Sequence, residues 1–430
     1  MNYLKRIADN VLKERLEAFG AVLIEGPKWC GKTTTAEQMA KSVIMLQDTD
    51  MREEYIATAA QKPSLLLQGD TPRLIDEWQD IPVVWDAVRT MVDKRGLPGQ
   101  FILTGSNTVD GKSIRHTGTG RISRMQMHPM SLWETGESNG KISLMQLFND
   151  PESDIDGIAS EMQIEDIVFA ACRGGWPAAL NVRSDNAKLL IARNYVESVC
   201  KADISRVDGV QRDARIARML LRSYARNIST LAKHSAILTD ITSTGEVSLS
   251  DRTLDDYVGA LSKLFVINNI NAWCPAIRSK TAIRSGYKRS FCDPSVAVAA
   301  LGLNPDALIL QLKTFGFIFE QMCARDLRAY TPDFDTHLSY YRDRYGLEAD
   351  LVLHLSDGRY ALIECKLGSR EIDEGAGHLL ELKRLIREHN KTESQVPLRE
   401  PDLLIVLTGG QMAYTRNDGV KIIPLGTLRP

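Results

Sequence analysis

Gly26, Gly31, Lys32 and Thr33 stand at the spacing G-x-x-x-x-G-K-[ST] in the stretch Gly26-Pro27-Lys28-Trp29-Cys30-Gly31-Lys32-Thr33. A glycine-rich turn that opens a helix aims backbone N–H groups at phosphate oxygens and adds the positive end of the helix dipole. Lys32 is then expected to reach the β/γ-phosphates, and the Thr33 hydroxyl to reach Mg2+. The setting agrees with the string. An apolar run, Ala21-Val22-Leu23-Ile24, precedes it and a helical pattern, Thr34 to Lys41, follows. Residues 26 to 34, including Pro27, Lys28, Trp29, Cys30 and Thr34, are the candidate phosphate-binding loop, and ATP with Mg2+ is the implied ligand.

Asp76-Glu77 directly follows the strand-like Arg73-Leu74-Ile75. Downstream of a phosphate loop, such a pair divides its work. Asp76 would share the Mg2+ shell with Thr33, and Glu77 would orient or deprotonate the attacking water. Thr104-Gly105-Ser106-Asn107 closes the next apolar run, Phe101 to Thr104, and offers polar groups, Ser106 among them, where a γ-phosphate would lie. Arg121 and Arg124 follow in Gly118-Thr119-Gly120-Arg121-Ile122-Ser123-Arg124. Either can act as an arginine finger on transition-state charge, within its own chain or across a homo-oligomer. An ordinary surface arginine would read the same.

A second set of carboxylates lies far downstream: Glu320, Asp350 and Glu364-Cys365-Lys366. Glu364 and Lys366, two apart on a strand, project from one sheet face. Whether Asp350 shares that face depends on the turn between the strands. A two-residue Asp357-Gly358 turn pairs position 350 with Cys365. A three-residue Ser356-Asp357-Gly358 loop, with Gly358 left-handed, pairs it with Glu364 and assembles the set. The longer loop is expected. Converging carboxylates can hold a metal that generates hydroxide for phosphodiester hydrolysis. The same residues also suit a module that binds without cutting.

The 430-residue chain is long enough for two or three cores. Its formal net charge of −2 advertises no global field for nucleic acid, so any such contact must be local. Seven scattered cysteines without a C-x-x-C pair point to reduced thiols rather than a disulfide or zinc framework. The charged, amphipathic start differs from a signal peptide, and no apolar run approaches about 18 residues. A soluble cytoplasmic protein with no membrane partner is expected.

The elements needed to position these groups can be traced. Strand-like runs at 21–24, 43–46, 73–75 and 101–104 alternate with helices, as a parallel α/β sheet requires. Asn149 to Ile158 is rich in Asp, Pro and Gly and reads as a linker. Helical patterns dominate to about residue 264. Arg212, Arg215, Arg218, Arg222 and Arg226 recur at helical spacing as a stripe suited to phosphates, or equally to a solvated face. A helix over 252–264 capped by Ser250 or Asp251, a strand at 265–267 and a basic hairpin follow. That hairpin holds Arg278, Lys280, Arg284, Lys288 and Arg289 without an acid, an order that suits a winged helix contacting DNA through its wing. Asp251, Asp255 and Asp256 on the would-be recognition helix argue against base reading. The last part reads helix 314–330, strands 338–342, 349–355 and 360–366, helix 372–389 and strand 403–407.

Leu74-Ile75-Asp76-Glu77-Trp78-Gln79, Phe101 to Ser106, and Gly120-Arg121 followed by Pro129-Met130-Ser131 closely resemble prokaryotic AAA-type ATP-binding proteins that carry a C-terminal domain of unknown function. Gly174-Gly175-Trp176-Pro177, Asp293-Pro294 and Glu320 extend the resemblance over most of the chain. It implies an ATPase of the AAA/STAND kind. The last third resembles the PD-(D/E)XK nuclease fold, which implies Asp350 and Glu364 as ligands of Mg2+ or Mn2+, Lys366 steadying the attacking water, and Glu320 as a helical carboxylate at the metal. The Pro that usually precedes the Asp is replaced by Ala349. The expected fold class is α/β, in three parts. A P-loop NTPase (AAA) core spans 1–148, a helical and winged-helix middle 159–295, and a PD-(D/E)XK nuclease-like α/β domain 300–430.

Overall fold

Strand β1 (Ala21–Glu25) is buried along all but its last residue, as the middle of a parallel sheet covered on both faces must be. With β2 (Ser42–Met45), β3 (Arg73–Asp76), β4 (Phe101–Gly105) and β5 (Ile122–Gln126) it forms a five-stranded sheet of order β2-β3-β4-β1-β5. Every neighbouring pair is parallel. Side chains alternate across it. Val22 and Ile24 join Leu12, Leu74 and Ile102 on one face, while Ala21 and Leu23 join Trp85, Val88 and Leu103 on the other. The computed structural model describes residues 3–106, 116–243, 245, 247–275, 286–331, 337–392 and 397–430. Strand β5 escaped the sequence reading because Ser123 and Arg124 interrupt its apolar run.

The expected linker at 149–158 is anchored. Ile155 lies in a hydrophobic cluster that runs from Leu132 to Leu428. Gly157 N–H donates to Ala413 O at 3.1 Å, Thr415 N–H to Asp156 Oδ1 at 2.7 Å, and Lys421 Nζ to Ser153 O at 3.0 Å. Its polar composition marks a loop correctly, but the partners that fix it come from the far end of the chain. Just before it, β6 (Ile142–Ser143) awaits a partner from that same end.

Helices Ile164–Arg173, Asp185–Ser198, Ala214–Arg226, His234–Thr242, Asp251–Lys263 and Pro294–Leu301 follow. Ser250 caps the fifth by accepting Thr253 N–H at 3.1 Å. The strand expected at 265–267 shrinks to a single antiparallel bridge, Ile267 to Phe291, with a second between Ile270 and Lys288. Phe265, at φ 59°, turns the chain sharply out of the helix and leaves little room for a longer strand. Arg278, Lys280 and Arg284 of the basic hairpin lie outside the described residues.

The remaining strands are β7 (Asn271–Ala272), β8 (His337–Arg342), β9 (Glu348–His354), β10 (Tyr360–Lys366), β11 (Leu403–Thr408), β12 (Tyr414–Thr415), β13 (Lys421–Pro424) and β14 (Leu428–Arg429). The first seven form a mixed sheet of order β12-β13-β11-β10-β9-β8-β7, and β14 pairs in parallel with β6. Helix Leu312–Tyr330 covers one face, where Phe319 and Met322 join Leu351 and Ile363. Helix Ile372–Thr392 covers the other, where Ala376 and Leu379 join Val352 and Leu362.

Segments far apart in sequence meet at a buried charge. Arg325, 1% exposed, lies with Nε 2.6 Å from Asp326 Oδ1 and Nη1 3.3 Å from Asp293 Oδ2. Asp326 Oδ2 also accepts Leu132 N–H at 3.1 Å, and Asp293 Oδ2 accepts Gly175 N–H at 3.0 Å. Trp176 Nε1 donates to Ser295 Oγ, whose hydroxyl donates to Asp293 Oδ1. Burial pushes Asp326 up to about 6, against the pull of Arg325. Removing one partner of a buried ion pair typically costs about 3–5 kcal/mol, so Arg325→Met is expected to lose roughly that much in urea unfolding. A loss under about 1 kcal/mol would show the triad to be dispensable.

Candidate functional site

The phosphate loop leaves β1 at Gly26, where a Cβ would lie 2.2 Å from Met127 O, so no side chain fits. It ends at Gly31, which enters helix Lys32–Glu37 from a left-handed conformation (φ 98°). Lys32 Nζ donates to Gly26 O and Pro27 O at 3.0 Å each, which uses two of its three donors and holds the ammonium in the crook of the loop. Thr33 Oγ1 and Thr104 Oγ1 both donate to Asp76 Oδ1 at 2.6 Å, and Thr104 Oγ1 accepts Glu77 N–H at 3.2 Å. These bonds tie the ends of β1, β3 and β4 together. Glu77 itself adopts φ 51°, a conformation that costs a non-glycine residue about 1–3 kcal/mol and clusters at functional sites. Its carboxylate accepts from Ser106 Oγ at 3.0 Å and from Gln79 Nε2.

A cavity of about 990 Å³ opens over Lys32, Thr33, Thr34, Glu77 and Ser106. Lys28, Trp29, Gly31, Lys32, Thr33, Thr34, Glu77 and Ser106 therefore line one cavity, whereas Asn107 lies outside the described residues. The Thr33 hydroxyl and Asp76 carboxylate are hard oxygen donors of the kind Mg2+ takes beside phosphate oxygens. Bound there, Mg2+ would supply charge neutralisation at the phosphates. Glu77 is fixed beside the cavity by Ser106 and Gln79.

Several contributors to the loop carried no sequence signal. Arg6 is buried and donates from Nη1 to Cys30 O at 2.7 Å, from Nη2 to His128 O at 2.8 Å and from Nε to Glu134 Oε1 at 2.8 Å. Lys28 Nζ pairs with Asp203 at 2.6 Å, and the Trp29 ring lies 6.1 Å from that of Tyr195. Pro177 approaches within 3.5 Å of where a Gly31 Cβ would stand. Nothing in local spacing announces partners so distant in sequence.

Arg121 requires correction as an own-chain finger. It precedes β5, whose first residue pairs with Ala21 at the end of β1 remote from Gly26, and its Nε pairs with Asp93 at 2.8 Å. Arg124 is closer but pairs with Glu25 at 3.3 Å and stacks over Trp85 at 5.2 Å. The arginine stripe is also altered. Arg212 lies before helix Ala214–Arg226, with its side chain 1% exposed, and is held by Asp208 at 2.7 Å and Asp256 at 2.9 Å. Arg218 pairs with Glu197 and Arg226 with Asp240. Lys288 and Arg289 of the basic hairpin are buried rather than displayed on an exposed wing.

In the C-terminal sheet the longer loop is present. Tyr360 pairs with His354 and Ile363 with Leu351, Leu355 N–H donates to Arg359 O at 2.8 Å, and Gly358 has φ 86°. One further step of that register sets Glu364 opposite Asp350. There the Asp350 carboxylate itself closes the ladder, since Oδ2 accepts Cys365 N–H at 3.0 Å. Lys366 Nζ lies 2.7 Å from Glu364 Oε2 and 4.0 Å from Asp350 Oδ2, and His378 Nδ1 lies 3.5 Å from Glu364 Oε1. On the other side Lys288 Nζ donates to Glu320 Oε1 at 2.7 Å, Asp350 O at 3.0 Å and Asp350 Oδ1 at 3.4 Å.

The expected metal set of Glu320, Asp350 and Glu364 is thus interleaved with two lysines. Among the described residues no group of three or more His, Cys, Asp or Glu side chains is disposed to hold a metal ion. Burial raises Glu320, as does Asp350, while Lys288 pulls it back. Burial also works to raise Asp350, but Lys288, Lys366 and the Cys365 N–H outweigh it and hold this carboxyl below its ordinary value. Burial, then the charge of Asp350, push Glu364 up to about 9.

Folded Glu364 therefore binds its proton more tightly than the unfolded chain does. Its contribution to stability is full below the ordinary value of 4.5 and is lost as pH rises towards about 9. Glu364→Gln is expected to flatten the fall of Tm across that window in thermal melts. An unchanged slope would contradict the raised carboxyl.

Comparison with known proteins gives three matches along the chain. Residues 18–136 match the AAA domain family, residues 164–307 a domain of unknown function (DUF8612), and residues 315–428 a second domain of unknown function (DUF4143). Uncharacterized protein Rv2008c of Mycobacterium tuberculosis is 24% identical over 364 residues, covering 83% of this chain and 72% of its own length. Uncharacterized protein Mb2031c of Mycobacterium bovis matches to the same extent. Among solved structures, the Walker-type ATPase PABY2304 of Pyrococcus abyssi aligns with TM-score 0.39 and 14% identity, over 69% of this chain and 96% of that one. A DNA replication initiation factor aligns with TM-score 0.26 and 12% identity, over 61% of this chain and 89% of that one. No helix among the described residues is long and apolar enough to cross a membrane. The phosphate-loop geometry and the matched segment together make residues 18–136 an AAA-type, P-loop ATP-binding domain.

Proposed function

We propose that this chain is an ATP-hydrolysing switch of the AAA/STAND kind, whose nucleotide state is read by the helical middle part and passed to the C-terminal domain. The observation that carries the proposal is that the phosphate loop is itself an interface. Lys28, Trp29 and Gly31 touch Asp203, Tyr195 and Pro177 of the middle part. Pro177 follows Trp176, and Trp176 leads through Ser295 and Asp293 to Arg325 on the helix that carries Glu320. A loop that shifts when phosphates enter would move those contacts first. Lys32 binds the phosphates, Asp76 and Thr33 serve Mg2+, and Glu77 serves water. The chain then divides into the ATPase part, the helical and winged-helix part and the C-terminal part. Arg121 remains available only to a neighbouring copy in a homo-oligomer.

A second reading, metal-dependent cutting of DNA by a PD-(D/E)XK-like C-terminal site, is favoured by the register that sets Glu364 opposite Asp350. It predicts Mg2+- or Mn2+-dependent cleavage of duplex or single-stranded DNA that Glu364→Ala and Lys366→Ala both abolish. Exposed arginines of helix Ala214–Arg226 would supply the contact to phosphates.

Lys32→Ala is expected to abolish ATP binding in equilibrium dialysis. Glu77→Gln should bind ATP but turn over about 10²–10⁴-fold more slowly, the usual worth of a positioned acid–base group. Normal turnover in either variant removes the assignment. For the relay, Lys28→Ala and Asp203→Asn should couple by about 0.5–3 kcal/mol in ATP affinity, and strictly additive effects would refute it.

A further inference from the structure

The C-terminal carboxylates disagree with the metal expected of them. A divalent ion such as Mg2+ takes about six oxygen ligands at 2.0–2.1 Å. Between Glu320 and Asp350 stands instead the Lys288 ammonium, 2.7 Å from Glu320 Oε1, 3.0 Å from Asp350 O and 3.4 Å from Asp350 Oδ1. An ammonium has three donors and no acceptor, and three acceptors face this one. The match is complete.

Nor is Lys288 a surface side chain that happens to fold inwards. The residue is 4% exposed, and its backbone is pinned in both directions, donating to Ile270 O at 2.9 Å and accepting Ile270 N–H at 3.0 Å. Its ammonium lies 5.9 Å from the centre of the Tyr340 ring, and Tyr340 Oη donates to Gly286 O at 2.6 Å beside it. The other carboxylate, Glu364, has its own lysine, Lys366, at 2.7 Å. A divalent ion set among these groups would sit within a few ångströms of two positive charges in a poorly screened interior.

We infer that Lys288 is the resident cation of this cluster. It occupies the place of a divalent ion between Glu320 and Asp350, and the C-terminal domain performs no metal-dependent phosphodiester cleavage. The cluster is a latent metal site that one lysine keeps closed. This inference is independent of the ATP switch, because it is tested without nucleotide.

The test is Mn2+ titration of the full, nucleotide-free chain, read by electron paramagnetic resonance of free Mn2+. Wild type and Asp350→Asn are expected to take up Mn2+ identically. Lys288→Met should gain one site at least tenfold tighter than any in wild type, and adding Asp350→Asn should abolish it. Wild-type uptake that Asp350→Asn removes overturns the inference, as does a Lys288→Met protein with wild-type circular dichroism and no new site. Should Lys288→Met fail to fold, the wild-type and Asp350→Asn pair still decides, with equal uptake supporting the inference and unequal uptake refuting it. Metal-dependent DNA cleavage by wild type that Glu364→Gln removes would also refute it.

Discussion

The buried Arg325 guanidinium is the constraint on which the arrangement rests. Asp293 and Asp326 neutralise it, and each of those carboxylates also holds a backbone N–H, of Gly175 and Leu132 respectively. One charge thereby fixes the segment leaving the ATPase sheet, the Gly174-Gly175-Trp176-Pro177 turn and the start of helix Pro294–Leu301 on one helix, Leu312–Tyr330. Such a cluster is weak evidence for net stability, since desolvation offsets much of the attraction. It is strong evidence for geometry, because few other packings satisfy so many buried polar groups together.

From that junction the two chemical centres differ in how they manage buried charge. At the phosphate loop, carboxylates accept from hydroxyls and an amide, and Lys32 donates to two loop carbonyls. Lys32, Asp76 and Glu77 are each bonded to neutral groups there, not to one another. In the C-terminal sheet, cations and anions already face one another, and the local fields cancel within the protein. The first arrangement is one of open valences, the second of closed ones.

How much of this was legible depended on the range of the interaction. The phosphate loop, the Asp76-Glu77 pair and the strand positions at 21–24, 73–75 and 360–366 follow from local periodicity and nearby spacing. The three-residue loop at Gly358 was also readable, because register and face alternation are coupled by the period of two. Lys288 was read as a wing residue because a run of basic residues without acids looks solvated. Only the bridge from Ile270 to Lys288 turns its side chain inwards, against Glu320 and Asp350. The open choice for Arg121, between its own chain, a neighbour's and the surface, has a similar cause. A sequence does not show which end of an unrecognised strand meets the ligand.

The origin of Lys288 has a consequence for how this chain can have been inherited. The lysine falls in the segment matched over 164–307, and the carboxylates it neutralises fall in the segment matched over 315–428. Strand β7, from the first of these segments, also forms the edge of the sheet built by the second. The two are therefore not interchangeable modules. Exchange of either alone would strand two buried acids or one buried base.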